Sequence, residues 1–142
     1  MSEEVVDNPT GWVRRHVRDY VESGGAKGHR FHGRDALLLT TRGRRTGKLR
    51  RTALYYGEDG GRYVLVASDG GKRTDPGWYH NLLASPAVVV QVRDETFPAL
   101  ARPADPEERP RLWELMLGVF PTYAAYERKA GRELPVVVVE RV

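Results

Sequence analysis

The 142-residue sequence has no cysteine. Disulfides, thiolate nucleophiles and cysteine-ligated metals are therefore excluded. No apolar run approaches the roughly 20 residues that a membrane-spanning helix needs. The start, Met1-Ser2-Glu3-Glu4, lacks the basic and apolar segments of a secretion signal, so the expected location is the cytoplasm. There is no Walker A loop. The nearest approach is Gly43-Arg44-Arg45-Thr46-Gly47-Lys48-Leu49, with three residues between its glycines where that motif has four, and leucine after the lysine. No Ser/His/Asp arrangement stands out, and no repeat or linker breaks the chain. It is expected to form one domain, residues 1–142.

One further absence is local. From Arg42 to Arg51 there are six cations and no acid. Removing those six from the 23 Lys and Arg leaves 17 against 19 Asp and Glu, so the basicity of the chain resides in this segment. Gly43 and Gly47 permit a tight turn there and can bring backbone N–H groups to a ligand. Arginine offers phosphate and carboxylate a planar fork of donors. The segment reads as a clamp for a small anion between two strands. The alternatives are a solvated hairpin tip and a nucleic-acid contact.

The remaining pattern predicts short strands joined mostly by hairpins, with helices at the start, middle and end. Asn8-Pro9 opens a helix whose stripe is Val13, Val17, Tyr20 and Val21 and which Gly24-Gly25 closes. That stripe can pack on the domain or rest on a membrane surface. Residues 26–35 read as loop, and 36–41, 51–56 and 62–68 as strands, the last two joined by Glu58-Asp59-Gly60-Gly61. Asp75-Pro76 caps a short helix that Ser85-Pro86 ends. Strands 87–92 and 96–102 pair. Asp105-Pro106-Glu107-Glu108 starts another helix, carrying Leu112, Leu115, Met116 and Val119 on one face, with a kink or a late start expected at Pro110. A further helix at 121–130 ends at Gly131, and the last strand is 135–140. The predicted class is α+β: a small six-stranded antiparallel barrel with peripheral helices.

Few residues could carry chemistry of their own. His29 and His32 lack partners for a metal, and His16, between arginines, is expected in solvent. Ser68 follows an apolar strand and precedes Gly70-Gly71, a place where its hydroxyl can face a pocket. Trp78 stands at a helix start. Phe120, Tyr123 and Tyr126 recur every three residues. An anion clamp, a rim serine, a tryptophan and a tyrosine pair suit a protein that binds a long, planar, anionic cofactor and leaves the reactivity to it.

These segments resemble the deazaflavin-dependent nitroreductase family, whose members use coenzyme F(420). The matching pieces are Leu37-Leu38-Leu39-Thr40-Thr41-x-Gly43-Arg44-x-Thr46-Gly47, Arg50, Leu54-Tyr55-Tyr56 and Ala67-Ser68-x-Gly70-Gly71. Pro76-x-Trp78-Tyr79-x-Asn81-Leu82, Ala84-x-Pro86, Pro121-x-Tyr123-x-x-Tyr126 and Pro135-x-Val137-Val138 follow in order. The N-terminal helix, within residues 1–25, is the least matched part.

The resemblance implies a split β-barrel of the flavin-reductase type and a hydride transfer from the reduced deazaflavin to a quinone or nitro compound. It implies that Arg44, Arg45, Thr46, Arg50 and Arg51 hold the phospholactyl-oligoglutamate tail. Thr52, Ala53, Leu54 and Tyr55 would follow the cofactor on one strand, and Val66, Ala67, Ser68 and Asp69 on another. Gly77, Trp78, Tyr79, His80 and Asn81 would flank it. Tyr123 would cover the deazaflavin, and with Ser68 and Tyr126 it is a candidate for the reacting end. Phe120 stands where a nitro-prodrug-activating member has tyrosine, Asp69 where it has lysine, and Gly77 where it has a bulkier apolar residue. Other readings are a basic nucleic-acid-binding barrel and an FMN- or haem-binding split barrel. Whether the chain is a monomer or a homodimer is left open by the residues.

Overall fold

The computed structural model describes residues 3–142. Its strands are β1 (Val5–Asp7), β2 (Arg30–Phe31), β3 (Arg34–Arg42), β4 (Leu49–Tyr55), β5 (Gly57–Asp59), β6 (Arg62–Val66), β7 (Ala87–Val92), β8 (Glu95–Pro103) and β9 (Val136–Arg141). Its helices are α1 (Gly11–Ser23), α2 (Gly77–Ala84), α3 (Arg109–Val119) and α4 (Tyr123–Ala130).

The sheet differs from the six-stranded antiparallel barrel predicted. It has nine strands in the order β1-β4-β3-β7-β8-β9-β6-β5, with β2 paired onto β3, and this path does not close. It is also mixed, because β1 runs parallel to β4 in the register Val5↔Leu49, Val6↔Arg50, Asp7↔Arg51. The six strands expected are all present. The three additions are β1, β2 and β5, each of two or three residues and too short to show an alternating pattern.

Burial explains the sequence of each strand. Three leucines run in succession in β3 because both faces of that strand are covered. Leu37 and Leu39 enter the central core with Leu65, Val90, Phe97 and Val137, while Leu38 meets Val13, Val17 and Tyr20 of α1. Each such leucine, fully buried, contributes about 1.5–3 kcal/mol. In β6 and β9 the central core takes Leu65, Val137 and Val139, and Val64, Val66, Val136 and Val138 pack under Leu112, Met116 and Tyr123 of α3 and α4. By contrast β7 alternates, with Val88, Val90 and Val92 inside and Ala87 and Val89 exposed, because no helix covers its outer face. Leu37 of β3 and Leu65 of β6 share one core although β7, β8 and β9 lie between their strands in the sheet. At roughly 4.8 Å per strand a flat sheet would hold them far apart, so the sheet curls.

Two caps differ in detail from expectation. α1 starts at Gly11, two residues after Pro9, because Asn8 Oδ1 accepts the Thr10 N–H (2.9 Å) while its Nδ2 donates to Thr52 Oγ1 of β4 (3.2 Å). Of the predicted α1 stripe, Val13, Val17 and Tyr20 are buried against the domain, whereas Val21 is exposed. Among the described residues no helix is long and apolar enough to cross a membrane. Asp75 pairs with Arg132 at 2.6 Å and does not cap α2.

Candidate functional site

The loop between β3 and β4 is held by its own backbone. Gly43 N–H donates to Lys48 O (2.7 Å) and Gly47 N–H to Gly43 O (2.8 Å), with Gly47 at φ +71° reversing the chain. The N–H groups of Gly43 and Gly47 themselves are thus spent inside the loop. Its cations face solvent instead, and they divide into two sets. Arg42 is paired with Glu3, and Arg51 with Asp7 through Nε–Oδ1 (2.7 Å) and Nη2–Oδ2 (3.2 Å). Arg45 and Arg50 are exposed and have no acidic partner among the described residues. Arg44 is likewise exposed, but it is oriented. Its N–H and Nη1 both donate to Oδ1 of Asn81 (3.1 Å each), and buried Asn81 in turn donates to Thr41 Oγ1 (3.1 Å). Asn81 therefore ties the clamp to α2.

Arg44, Arg45, Arg50 and Arg51 open onto a cavity of about 410 Å³, whose other walls include Val6, Asp7, Thr46, Gly77 and Asn81. A second cavity of about 440 Å³ adjoins it. Asn8, Thr52, Asp69, Pro76 and Trp78 line both, so the two form one cleft with a waist. Asp69 at that waist has φ +45° and is followed by Gly70 and Gly71, also at positive φ. Gly71 is required for a second reason: a Cβ there would come within 2.9 Å of the Tyr126 backbone. The turn after β6 is in this way pressed against α4.

The second cavity is aromatic. Phe120 meets Tyr123 edge-on with centroids 4.9 Å apart and lies 5.3 Å from Tyr55 and 5.9 Å from Tyr126. Burial raises the Tyr123 phenol well above its ordinary range, and raises Tyr55 as well. Both therefore remain neutral hydroxyls that can donate a hydrogen bond. Ser68, in αR conformation just past β6, lines the same cavity. The facing wall comes from α1 and the β2–β3 hairpin: Trp12, Val13, His16, Phe31 and His32.

Most of the residues singled out in the sequence meet in this cleft. Arg44, Arg45, Thr46, Arg50, Arg51, Gly77 and Asn81 line the first cavity, Ala53, Leu54, Tyr55, Val66, Ser68, Tyr123 and Tyr126 the second, and Thr52, Asp69 and Trp78 both. Three do not line it. Ala67 is fully buried, with its N–H on Pro135 O; Tyr79 packs on the central core; His80 meets Tyr79 edge-on. The α1 wall was not foreseen. His16, expected in solvent, is buried, donates from Nε2 to Gly28 O (2.7 Å) and stacks on Phe31 at 4.0 Å. The available signal was Trp12 and His16 at i,i+4 on one helix face. His29 is also buried, sharing a 2.8 Å hydrogen bond with Tyr56 Oη. Among the described residues no three side chains are placed to hold a metal ion.

A curled sheet with a cleft that is cationic at one end and aromatic at the other defines a binder of an elongated ligand with an anionic tail and a planar ring. The chain belongs to the family described as F420H(2)-dependent quinone reductase, whose pattern it matches over residues 12–141. An F420H(2)-dependent quinone reductase of Mycobacterium tuberculosis (strain H37Rv) is 38% identical over 143 residues, 92% of this chain and 96% of that protein. A solved F420-H2-dependent reductase, FDR-A, is 42% identical with TM-score 0.68, covering 74% of this chain and 93% of its own. Another solved relative, described as a domain-swapped dimer, is 40% identical with TM-score 0.71, covering 94% of this chain and all of its own. The protein is accordingly a deazaflavin-dependent oxidoreductase: its cofactor is coenzyme F(420), and its reaction passes a hydride from the reduced cofactor to a quinone.

Proposed function

We propose that the 142 residues act as one split-barrel domain in which the cleft holds coenzyme F(420) lengthwise, tail on the clamp and ring among the tyrosines. The observation that carries this is the polarity of the cleft. Its unpartnered cations, Arg45 and Arg50, stand at one end with Arg44, and Tyr55, Tyr123, Phe120 and Tyr126 stand at the other. A phosphate and a run of glutamates need the former, and a deazaflavin ring needs the latter. Leu54 of β4 and Val66 of β6, from strands that are not paired, line the same cavity, which fits a barrel split open at that seam.

The bound cofactor supplies two electrons as hydride. The chain's own work is orientation and exclusion of water. Arg44, set by Asn81, fixes the tail, and the waist residues Thr52 and Asp69 offer acceptors to the hydroxyls of the linking polyol. Tyr123 and Ser68 donate hydrogen bonds at the ring end and position the acceptor's oxygen. Nitro compounds, with oxygens of similar placement, are secondary acceptors.

Equilibrium binding followed by fluorescence tests this reading. Coenzyme F(420) binds more tightly than FMN or FAD, and more tightly as its glutamate tail lengthens. A preference for FMN, or indifference to tail length, overturns it.

A further inference from the structure

The reduction of a quinone needs one proton more than the hydride brings, and the tyrosines are poorly suited to give it. A hydride adds two electrons and one hydrogen and leaves a hydroquinone monoanion. Tyr123 and Tyr55, buried as they are, hold their protons well past neutral pH. Imidazole is the side chain that exchanges protons near neutrality. Two histidines line the ring-end cavity, His16 and His32. His16 is buried, and its Nε2–H is committed to Gly28 O.

His32 is placed differently. The β2–β3 hairpin pairs Phe31 with Arg34, leaving His32 and Gly33 as its two-residue turn, both at positive φ (51° and 78°). Non-glycine residues rarely take that conformation, and it turns the His32 ring back over Phe31, centroids 4.1 Å apart and planes 18° apart. Phe31 is thereby sandwiched between His16 and His32, with Trp12 stacked at 6.2 Å. The His32 ring makes no hydrogen bond among the described residues and is exposed at the cavity wall. Arg34 locks this arrangement. It donates to His32 O (3.2 Å) and to Val119 O (2.9 Å), and its guanidinium covers Phe120 at 4.9 Å. The hairpin wall and the tyrosine wall are thus braced against each other.

We propose that His32 is the proton donor to the reduced acceptor, an inference that rests on the cofactor placement above. An N–H bond of the imidazolium breaks, its electron pair stays on nitrogen, and the new O–H bond completes the hydroquinone; solvent, which takes up the proton shed as the cofactor is oxidised, reprotonates His32. The titratable and charged groups around it are Arg34, the Arg30–Asp35 pair and His16 on its own side, and Tyr55, Asp69, Tyr123 and Tyr126 across the cavity.

Two variants test this. His32→Phe keeps the stacked ring without a proton, and His32→Asn suits the positive φ without the ring. In the wild type, kcat with a naphthoquinone falls as pH rises, as general-acid catalysis by an imidazolium requires. Both variants lower kcat roughly 10²-fold at low pH and flatten the profile, so the gap narrows as pH rises. The binding constant for coenzyme F(420) stays unchanged in both. A second readout needs no turnover: under anaerobic conditions the matching hydroquinone, added to protein loaded with oxidised cofactor, shifts the His32 ring resonances and quenches Trp12. Variants that follow the wild-type pH curve overturn the proposal, as do His32 resonances that ignore the hydroquinone. Failure of the wild type to bind coenzyme F(420) would instead overturn the cofactor placement.

Discussion

Asp7 grips Arg51 with both carboxylate oxygens, at 2.7 and 3.2 Å, and so occupies the Nε and Nη2 donors of one of the clamp's arginines. Parallel pairing of β1 with β4 sets the two residues directly opposite each other. Asp7→Asn therefore frees Arg51 and lowers the dissociation constant for coenzyme F(420) several-fold, since a charged hydrogen bond contributes roughly 1.5–3 kcal/mol before screening. The gain shrinks in high salt. Fluorescence titration at two salt concentrations reads both effects, and a weaker-binding variant would show that Arg51 acts only through Asp7.

Arg45→Ala and Arg50→Ala weaken cofactor binding about tenfold or more each. Both side chains are exposed and make no ion pair among the described residues, so the thermal midpoint stays at the wild-type value. A titration paired with a melting curve separates loss of a ligand contact from loss of fold.

Tyr123→Phe lowers quinone turnover about tenfold and leaves cofactor affinity nearly unchanged, because a hydrogen-bond donor is lost and an aromatic wall is kept. Tyr126→Phe has the smaller effect. Steady-state rates at saturating cofactor decide the ranking.

Phe120→Tyr raises the rate with bicyclic nitroimidazoles, on which the wild type is weak. The new hydroxyl enters the tyrosine cluster beside Tyr55, Tyr123 and Tyr126, where it can donate to a nitro oxygen. Rates with a quinone and a nitroimidazole, measured side by side in both proteins, give the selectivity change.

Two carboxylates outside the cleft make folding sensitive to acid. Arg111 and Arg62 hold Asp59 down to about 2, and Arg102, the Asp105 N–H and Arg62 do the same for Glu108. Both carboxylates are lower in the folded state than in the unfolded chain, so the unfolded chain binds protons first as pH falls. Their contribution is complete above about pH 4.5 and is lost toward about pH 2. Melting curves from pH 6 to pH 2 should drop through that window, and Glu108→Gln should flatten the drop.

The long elements were legible in the sequence because their patterns report their surroundings. Ala87–Val92 alternates since one face is wet, and the Leu37–Leu39 run marks a strand covered on both sides. Pro110 duly delayed α3 to Arg109. Two of the shortest strands left no such mark. β1 exists through its pairing with β4, and β2 through a hairpin turn that contains a histidine at positive φ. The same holds at the site. Motifs local in sequence located the clamp and the tyrosines, whereas the wall of Trp12, His16, Phe31 and His32 arises only when the stretch after α1 folds back on it. Nothing in the sequence distinguished Arg51 from Arg50, since the difference is a carboxylate 44 residues away.

The three residues of β1 also carry a consequence for how the protein is handled. They occupy the outer edge of β4, whose N–H and C=O groups would otherwise be open to a strand from another molecule. A chain trimmed to begin at Thr10 keeps every helix and loses that cover, along with the carboxylates on Arg42 and Arg51. Such a trimmed protein gains two free cations beside a bare sheet edge, and self-association rather than unfolding becomes its characteristic failure.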